Sequence, residues 1–421
     1  LLVGATGLVG QRAPACWGEG QNAFNPEWVS GGSSSGSAVA VAMGLVPFSL
    51  GTDTAGSGRV PAGFNNIVGM KPSKGLLSTR GVVPACRTLD CVSIFALTAE
   101  DAALVQAQVA AFDEQDSYSR ALTQRPLPAA PLRVASPLVQ QQLFFGDEGY
   151  AAAYQHALLQ AEALGWQLQP VDISPLLETA RLLYEGPWVA ERYAVAGELL
   201  ERDPAALLAV IRTIIGAGAN AKAVDAFRAQ YRLADLQRAA SALWQECDLL
   251  LLPTAPTLPS RAAVRAEPVA INSQLGTYTN FVNLLDLAAI AVPSQLLADG
   301  RPFGITLMMP AGHDQALLAL GPATLALLAV IQLIARPLNI AVCTLGSSLN
   351  WRERTLLAWI APRGIVAAAV SAIFALRLEQ QGNEQAHLLV PLTFLVIIGT
   401  VVLQSATARP LARLLKVAEP S

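Results

Sequence analysis

The sequence predicts an α/β domain up to about residue 320, followed by a stretch of hydrophobic helices. In the first part, short apolar runs such as Val60–Val68, Leu249–Leu252 and Ala288–Val292 alternate with longer segments of helical periodicity. Turn signals such as Asn25-Pro26 separate these segments. This alternation of strand-like and helix-like segments is typical of an α/β fold.

After about residue 320 the character of the sequence changes. Three apolar runs follow one another at Ala323–Cys343, Thr355–Leu376 and Leu388–Leu403, joined by charged connectors. A helix that crosses a bilayer needs about 20 apolar residues. The pattern therefore predicts about three transmembrane helices, with residues 323–405 in contact with a membrane. Buried core helices of the preceding domain are the alternative.

The composition limits the classes of function. The 421 residues are enough for two domains, and the net charge of −3 without clustered basic residues does not predict nucleic-acid binding. The chain begins at Leu1, so we expect that N-terminal residues are missing. It contains only four lysines, which are Lys71, Lys74, Lys222 and Lys416.

The sequence predicts no metal and no cofactor. Its five cysteines and three histidines do not have the spacing of a metal site or a disulfide framework. The glycines from Gly4 to Gly10 have a spacing seen in dinucleotide-binding loops. However, Pro14 and Trp17-Gly18 follow them instead of the helix that such a site requires.

Two loops rich in glycine and serine are the most informative feature of the chain. They cover Ser30–Ala38 and Gly51–Pro61, and an apolar segment at Ala38–Val46 lies between them. Such composition is common in linkers, but a linker would not adjoin a segment fit for burial. Two loops that flank one buried element indicate backbone held close to a ligand.

These loops resemble the amidase signature family, whose enzymes use a Ser–cis-Ser–Lys triad. The resemblance implies a mixed β-sheet sandwiched by helices, with Ser57 as the nucleophile and Ser33 as the cis-serine. A serine hydroxyl needs a neighbouring base to become nucleophilic. The backbone amides of Thr54, Ala55, Gly56 and Ser57 would face the oxyanion of the tetrahedral intermediate.

The residues around the loops complete this hypothesis, with one exception. Asp53 and Arg59 would pair and brace the second loop, and Ser34 would support the first. In the family, the base is a lysine well upstream of the cis-serine, and no lysine precedes Ser33 here. Lys71 and Lys74 lie in a downstream segment with a structural role. We therefore expect a domain truncated at its N-terminus, and a chain that is inactive or nearly so.

Two further segments, Leu76–Phe95 and Leu183–Arg192, resemble allophanate hydrolase, an enzyme of urea degradation. In that family, residues at the positions of Tyr184 and Arg192 contact the substrate. Gly186-Pro187 would start a helix between them. Allophanate is a small urea that bears a carboxylate, which a guanidinium binds through two parallel hydrogen bonds. An arginine exposed on a helix, or a general amidase with another substrate, remains an alternative.

The resemblance divides the chain in two. Residues 1–319 would be the allophanate hydrolase-like domain, and residues 320–421 resemble the end of a cation/proton antiporter of the sodium/hydrogen exchanger type. Trp351–Val366 and Pro391–Thr400 carry the second resemblance. None of the three apolar runs contains an acidic residue, so transport by this chain alone is not expected.

No linker rich in Gly, Ser or Pro separates the two parts, which indicates a composite of two genes. A membrane-tethered hydrolase and an antiporter fragment with an incidental hydrolase part are the alternatives. We expect a small amide substrate, a cytoplasmic location for the domain and a membrane location for the tail. A homodimer is left open.

Overall fold

The computed structural model describes residues 20–207 and 209–320. Within them, 20–44 and 48–320 form one compact unit. The apolar runs predicted to cross a membrane, between 323 and 405, lie outside the described residues. In the described part, no helix is both long and apolar enough to span a bilayer.

The described residues contain one mixed sheet of eight strands in the order β1-β3-β2-β7-β8-β6-β4-β5. Strand β4 is parallel to β5 and β6, and the other neighbours are antiparallel. The strands are β1 (Phe48–Asp53), β2 (Val68–Lys71), β3 (Cys91–Ala96), β4 (Arg133–Pro137), β5 (Gln167–Val171), β6 (Leu249–Pro253), β7 (Leu287–Leu296) and β8 (Pro302–Pro310).

Helices occupy the connections between the strands. They are α1 (Ser35–Ala42), α2 (Val60–Phe64), α3 (Ala99–Val109), α4 (Glu148–Ala163), α5 (Ser174–Glu185), α6 (Trp188–Arg202), α7 (Ala209–Gly216), α8 (Ala223–Ser241), α9 (Leu243–Glu246), α10 (Arg261–Ala266) and α11 (Pro268–Leu275). Three short 3-10 helices cover Val139–Gln141, Pro204–Ala206 and Ala217–Asn220.

Both faces of the sheet are buried, which the central strand β6 shows clearly. Leu249 and Leu251 belong to one hydrophobic cluster, whereas Leu250 and Leu252 belong to another. Since successive side chains of a strand point to opposite faces, each face has its own core. The predicted α/β fold with a mixed sheet between helices is therefore confirmed.

The apolar run Val60–Val68, predicted from the sequence as one strand-like segment, is divided between two elements. Its first part is the helix α2, with Pro61 in the first turn, and its last residue begins β2. Proline is well tolerated in a first helical turn. Asn66, with a φ of 54°, lies between them and separates helix from strand. The single-strand interpretation of this run is wrong.

Candidate active site

The loop from Asp53 to Arg59 connects β1 to α2 and is held by a buried ion pair. Asp53 and Arg59 have fully buried side chains, and Arg59 Nε and Nη2 donate to the Asp53 carboxylate at 2.9 and 3.0 Å. The backbone amides of Gly56 and Gly58 donate to the same carboxylate at 2.9 and 3.1 Å. The predicted pairing of Asp53 with Arg59 is thus present, and four hydrogen bonds fix the shape of the loop.

The ionisation of Asp53 follows from these contacts. Burial alone would raise the pKa of Asp53, but the charge and hydrogen bonds of Arg59, with the charge of Lys71 and the Gly56 amide, hold that pKa below its usual value of 3.8. Arg59 Nη2 also donates to the carbonyl of Thr279 at 3.2 Å. The ion pair therefore ties the loop to a segment far along the chain.

Gly56 corrects one part of the predicted oxyanion hole. Its amide donates to Asp53, so it is not directed at a substrate oxygen as the loop sequence led us to expect. Among the described residues, the amides of Thr54, Ala55 and Ser57 have no acceptor. Gly56 has a φ of +126°, a region that disfavours other residues. The oxyanion hypothesis is therefore restricted to the other three amides.

The first Gly/Ser loop places Ser33 and Ser34 beside the Asp53–Arg59 loop. The peptide bond between Gly32 and Ser33 is cis. Ser34 Oγ donates to the carbonyl of Thr52 and accepts from its amide, both at 3.1 Å, so this residue joins the first loop to β1. The supporting role of Ser34 and the catalytic role of Ser33 stay predictions.

A cavity of about 490 Å³ opens over these loops, and Ser57 and Gly32 are part of its wall. Tyr184, in the last turn of α5, lines the same cavity. Arg192 does not line it; its guanidinium stacks on the Tyr184 ring, 4.7 Å from the ring centre. Ser57 and Tyr184 thus line one cavity, and Arg192 contacts Tyr184.

Arg192 lies in the second turn of α6, which begins at Trp188 as the Gly-Pro pair predicts. Burial would lower the pKa of Arg192, but Tyr184 and Cys86 hold it above its usual value. In turn, burial raises the pKa of the Cys86 thiol to about 11. Arg192 Nε is buried and has no partner among the described residues. One N–H of the guanidinium therefore has no acceptor in this part of the chain.

Asp90 is a buried carboxylate that was not predicted from the sequence. It accepts hydrogen bonds from the Thr54 hydroxyl and from the amides of Ala85 and Cys86, the last two at 2.9 and 3.1 Å. Burial raises the pKa of Asp90 despite these donors. It links the Asp53–Arg59 loop to the segment that contacts Arg192. The signal that could have found it was an acidic residue between the apolar Leu89 and Cys91.

The two lysines near the loops have contacts of their own. Lys71 is fully buried, and its Nζ donates to the Pro72 carbonyl at 2.7 Å and lies 3.6 Å from Cys91 Sγ. Burial lowers the pKa of Lys74. The contacts of Lys71 are made within its own part of the sheet, in line with the structural role expected for this segment.

Two protein-family models match the chain. Residues 5–318 match the amidase family, and residues 306–414 match the transmembrane domain of sodium/hydrogen exchangers. The second match begins within β8 and overlaps the first. It agrees with the resemblance predicted for the tail, although it covers a minor part of the chain.

Individual relatives support the first match. The chain is 44% identical over 319 residues to urea amidolyase of Lachancea kluyveri, covering 75% of this chain but 17% of that protein. It is 32% identical over 329 residues to one of the subunits of the glutamyl-tRNA(Gln) amidotransferase of Thermus thermophilus, covering 71% and 68%.

A solved structure supports the same family match as these two relatives. Kluyveromyces lactis allophanate hydrolase is 45% identical, with a TM-score of 0.73, over 76% of this chain and 53% of that one. The chain therefore spans a small part of the urea amidolyase and about half of the allophanate hydrolase that it matches. It belongs to the amidase family, the class of amide-hydrolysing enzymes that the two serine loops predicted.

Proposed function

We propose that residues 1–319 belong to a domain that hydrolyses a C–N amide bond, with Ser57 as the nucleophile and Ser33 as the bridging serine. The observation that carries the proposal is the position of Ser57 on the cavity wall, in a loop fixed by the buried Asp53–Arg59 pair. Gly32, which precedes Ser33, lines the same cavity. A loop fixed in this way suits acyl transfer because its donors need no rearrangement during the reaction.

In the proposed reaction, Ser57 Oγ attacks the substrate carbonyl while its proton passes through Ser33 to a base. The oxyanion that forms accepts hydrogen bonds from the amides of Ala55 and Ser57, which are otherwise unengaged in the described residues. Of the three amides left by the engagement of Gly56, these two belong to residues that line the cavity, and Thr54 does not. The C–N bond then breaks, the proton goes to the departing nitrogen, and ammonia leaves. Water hydrolyses the remaining acyl-enzyme.

We propose allophanate as the substrate. The relatives named urea amidolyase and allophanate hydrolase support this choice over a general amide. Tyr184 lines the cavity, and Arg192, stacked on it, keeps a buried donor without a partner among the described residues. Two groups of this kind suit a carboxylate at one end of a small substrate.

Ammonia release from allophanate tests the reaction. The 421-residue chain is compared with the same chain joined at its N-terminus to the preceding segment of K. lactis allophanate hydrolase, which would supply the family's lysine. We expect release by the fused form and little or none by the chain alone. In the fused form, Ser57→Ala should abolish release. Release that survives this substitution would contradict the assignment of the nucleophile.

For residues 320–421 we propose a membrane segment, a hypothesis supported by the match of residues 306–414 to sodium/hydrogen exchangers. Extraction of membranes with alkaline carbonate tests it: the chain should stay in the pellet, and release into the supernatant would contradict it. A homodimer, and the cytoplasmic location of the amidase domain, remain predictions.

A further inference from the structure

The cavity wall contains a polar group that the proposed reaction does not use. Thr279 has a fully buried side chain, and its Oγ1 has no hydrogen-bond partner among residues 20–207 and 209–320. Thr279 lines the same cavity as Ser57. It also lies against Gly56, where an added Cβ would clash with Thr279 Oγ1. A buried hydroxyl without a partner is unfavourable unless a ligand completes it.

A second unpartnered oxygen lies on the same wall. Asn272, in α11, lines the cavity. Its Nδ2 donates to the Pro268 carbonyl, one helical turn earlier, and this bond fixes the orientation of the carboxamide. The Asn272 Oδ1 atom is buried and has no partner in the described part of the chain. Two residues of one cavity wall therefore carry a buried oxygen without a partner in the described part of the chain.

Several polar groups assigned to the site can only donate hydrogen bonds, whereas the Tyr184 hydroxyl can both donate and accept. The backbone amides of Ala55 and Ser57 and the guanidinium of Arg192 can donate but not accept. A ureide has an N–H between its two carbonyls as well as a terminal amide, so it brings donors that need acceptors. An N–H buried without an acceptor weakens binding. Thr279 and Asn272 carry buried oxygens that can accept such a hydrogen bond in addition to the Tyr184 hydroxyl.

We propose that Thr279 Oγ1 accepts a hydrogen bond from the central N–H of a ureido substrate, with Asn272 Oδ1 as a second acceptor. These residues would make the cavity prefer ureides to simple amides of the same shape. The inference rests on the proposed function, because it assumes that the reacting substrate lies over Gly56.

A pair of neutral ligands isolates this hydrogen bond. Biuret and malonamide differ only in the central group, which is N–H in biuret and CH2 in malonamide. Calorimetric titration of the 421-residue chain should show biuret binding about ten-fold more tightly, since one hydrogen bond contributes roughly that factor. Thr279→Val should reduce the ratio of the two dissociation constants to near one, whereas Thr279→Ser should keep it.

Thr277 provides a matched control. It lines the same cavity, but its hydroxyl already donates to the Gln274 carbonyl at 2.6 Å. Thr277→Val should therefore leave the preference for biuret unchanged. Thermal unfolding monitors the fold of each variant, and Thr279→Ala replaces T279V if the valine variant does not fold.

Three outcomes overturn the proposal. The preference for biuret over malonamide could survive T279V, or T277V could reduce that preference as much as T279V does. The unmodified chain could also bind both ligands equally well. Binding requires neither a base nor a reactive Ser57. If the fused chain released no ammonia while the preference persisted and depended on Thr279, the proposed function would fail and the acceptor role would stand. Ammonia release by the fused chain without a preference for biuret that depends on Thr279 would contradict the acceptor role and leave the proposed function standing.

Discussion

The Asp53–Arg59 loop and the cavity wall that carries Thr279 differ in how their polar groups are satisfied. In the loop, the Asp53 carboxylate accepts four hydrogen bonds from its own segment. On the wall, Thr279 Oγ1 and Asn272 Oδ1 have no partner in the described residues. A side chain that fixes the position of a catalytic loop should make its hydrogen bonds within the protein. A side chain that binds a ligand must instead keep a donor or acceptor available for it. The comparison distinguishes side chains that position the loop from side chains that are available to bind a ligand.

The largest effect is expected from breaking the loop's ion pair. Arg59→Met leaves the Asp53 carboxylate buried without its cation, so the free energy of unfolding should fall by about 3–5 kcal/mol. Urea denaturation followed by circular dichroism measures the change.

An exposed ion pair serves as the control for the same type of substitution. Arg232 pairs with Glu178, and both side chains are more than a third exposed. Because water screens such a pair, Arg232→Met should change the stability by less than about 1 kcal/mol. Equal losses in R59M and R232M would contradict the view that the buried pair organises the loop.

A smaller effect, on ligand binding only, is expected from replacing Arg192. Arg192→Met should weaken binding of malonamate, which has one carboxylate, by about ten-fold or more, since hydrogen bonds to charged groups contribute about 1.5–3 kcal/mol. Binding of the uncharged malonamide should change little. Arg181 is an exposed arginine that lines the cavity, as Arg192 does not, and R181M is the comparison variant. Isothermal titration of each variant checks this, and equal weakening of both ligands in R192M would refute carboxylate recognition.

The smallest effect concerns pH, where two buried carboxyls should behave in opposite ways. The pKa of Asp53 is lowered, so its contribution to stability is present above pH 3.8 and is lost as the pH falls through its lowered pKa. The pKa of Asp90 is raised by burial, so its contribution is present below pH 3.8 and is lost as the pH rises through that raised pKa.

Asp90→Asn removes the second titration. Its stability deficit relative to the unmodified chain should therefore be greatest at low pH and shrink as the pH rises above 3.8. Urea denaturation at a series of pH values measures this difference. A deficit that does not vary with pH would show that the two carboxyls do not differ in this way.

The recognisable parts of the site are those with a local pattern in the sequence. Glycine and serine clusters predicted the two loops, and the Asp53–Arg59 pair lies within one of them. Thr279 was missed because its contact with Arg59 spans 220 positions, and a threonine between Tyr278 and Asn280 has no distinctive pattern. The engagement of the Gly56 amide was also missed, since residue types do not reveal which way a backbone N–H points.

The fold shows the same limit. The buried strand β6 was predictable from its four consecutive leucines. The run Val60–Val68 was not, because periodicity does not distinguish a short buried helix from a strand when both of its faces are apolar. Pro61 was the signal that favoured a helix there.

The most direct test of the central claim is to find which serine reacts. The fused chain, with the preceding segment of K. lactis allophanate hydrolase, is treated with a fluorophosphonate, and the modified peptide is identified by mass spectrometry. We predict the added mass on Ser57, its disappearance in S57A, and normal labelling in the control Ser49→Ala. Labelling of a different serine, or labelling that persists in S57A, would contradict the claim that this braced loop carries the nucleophile.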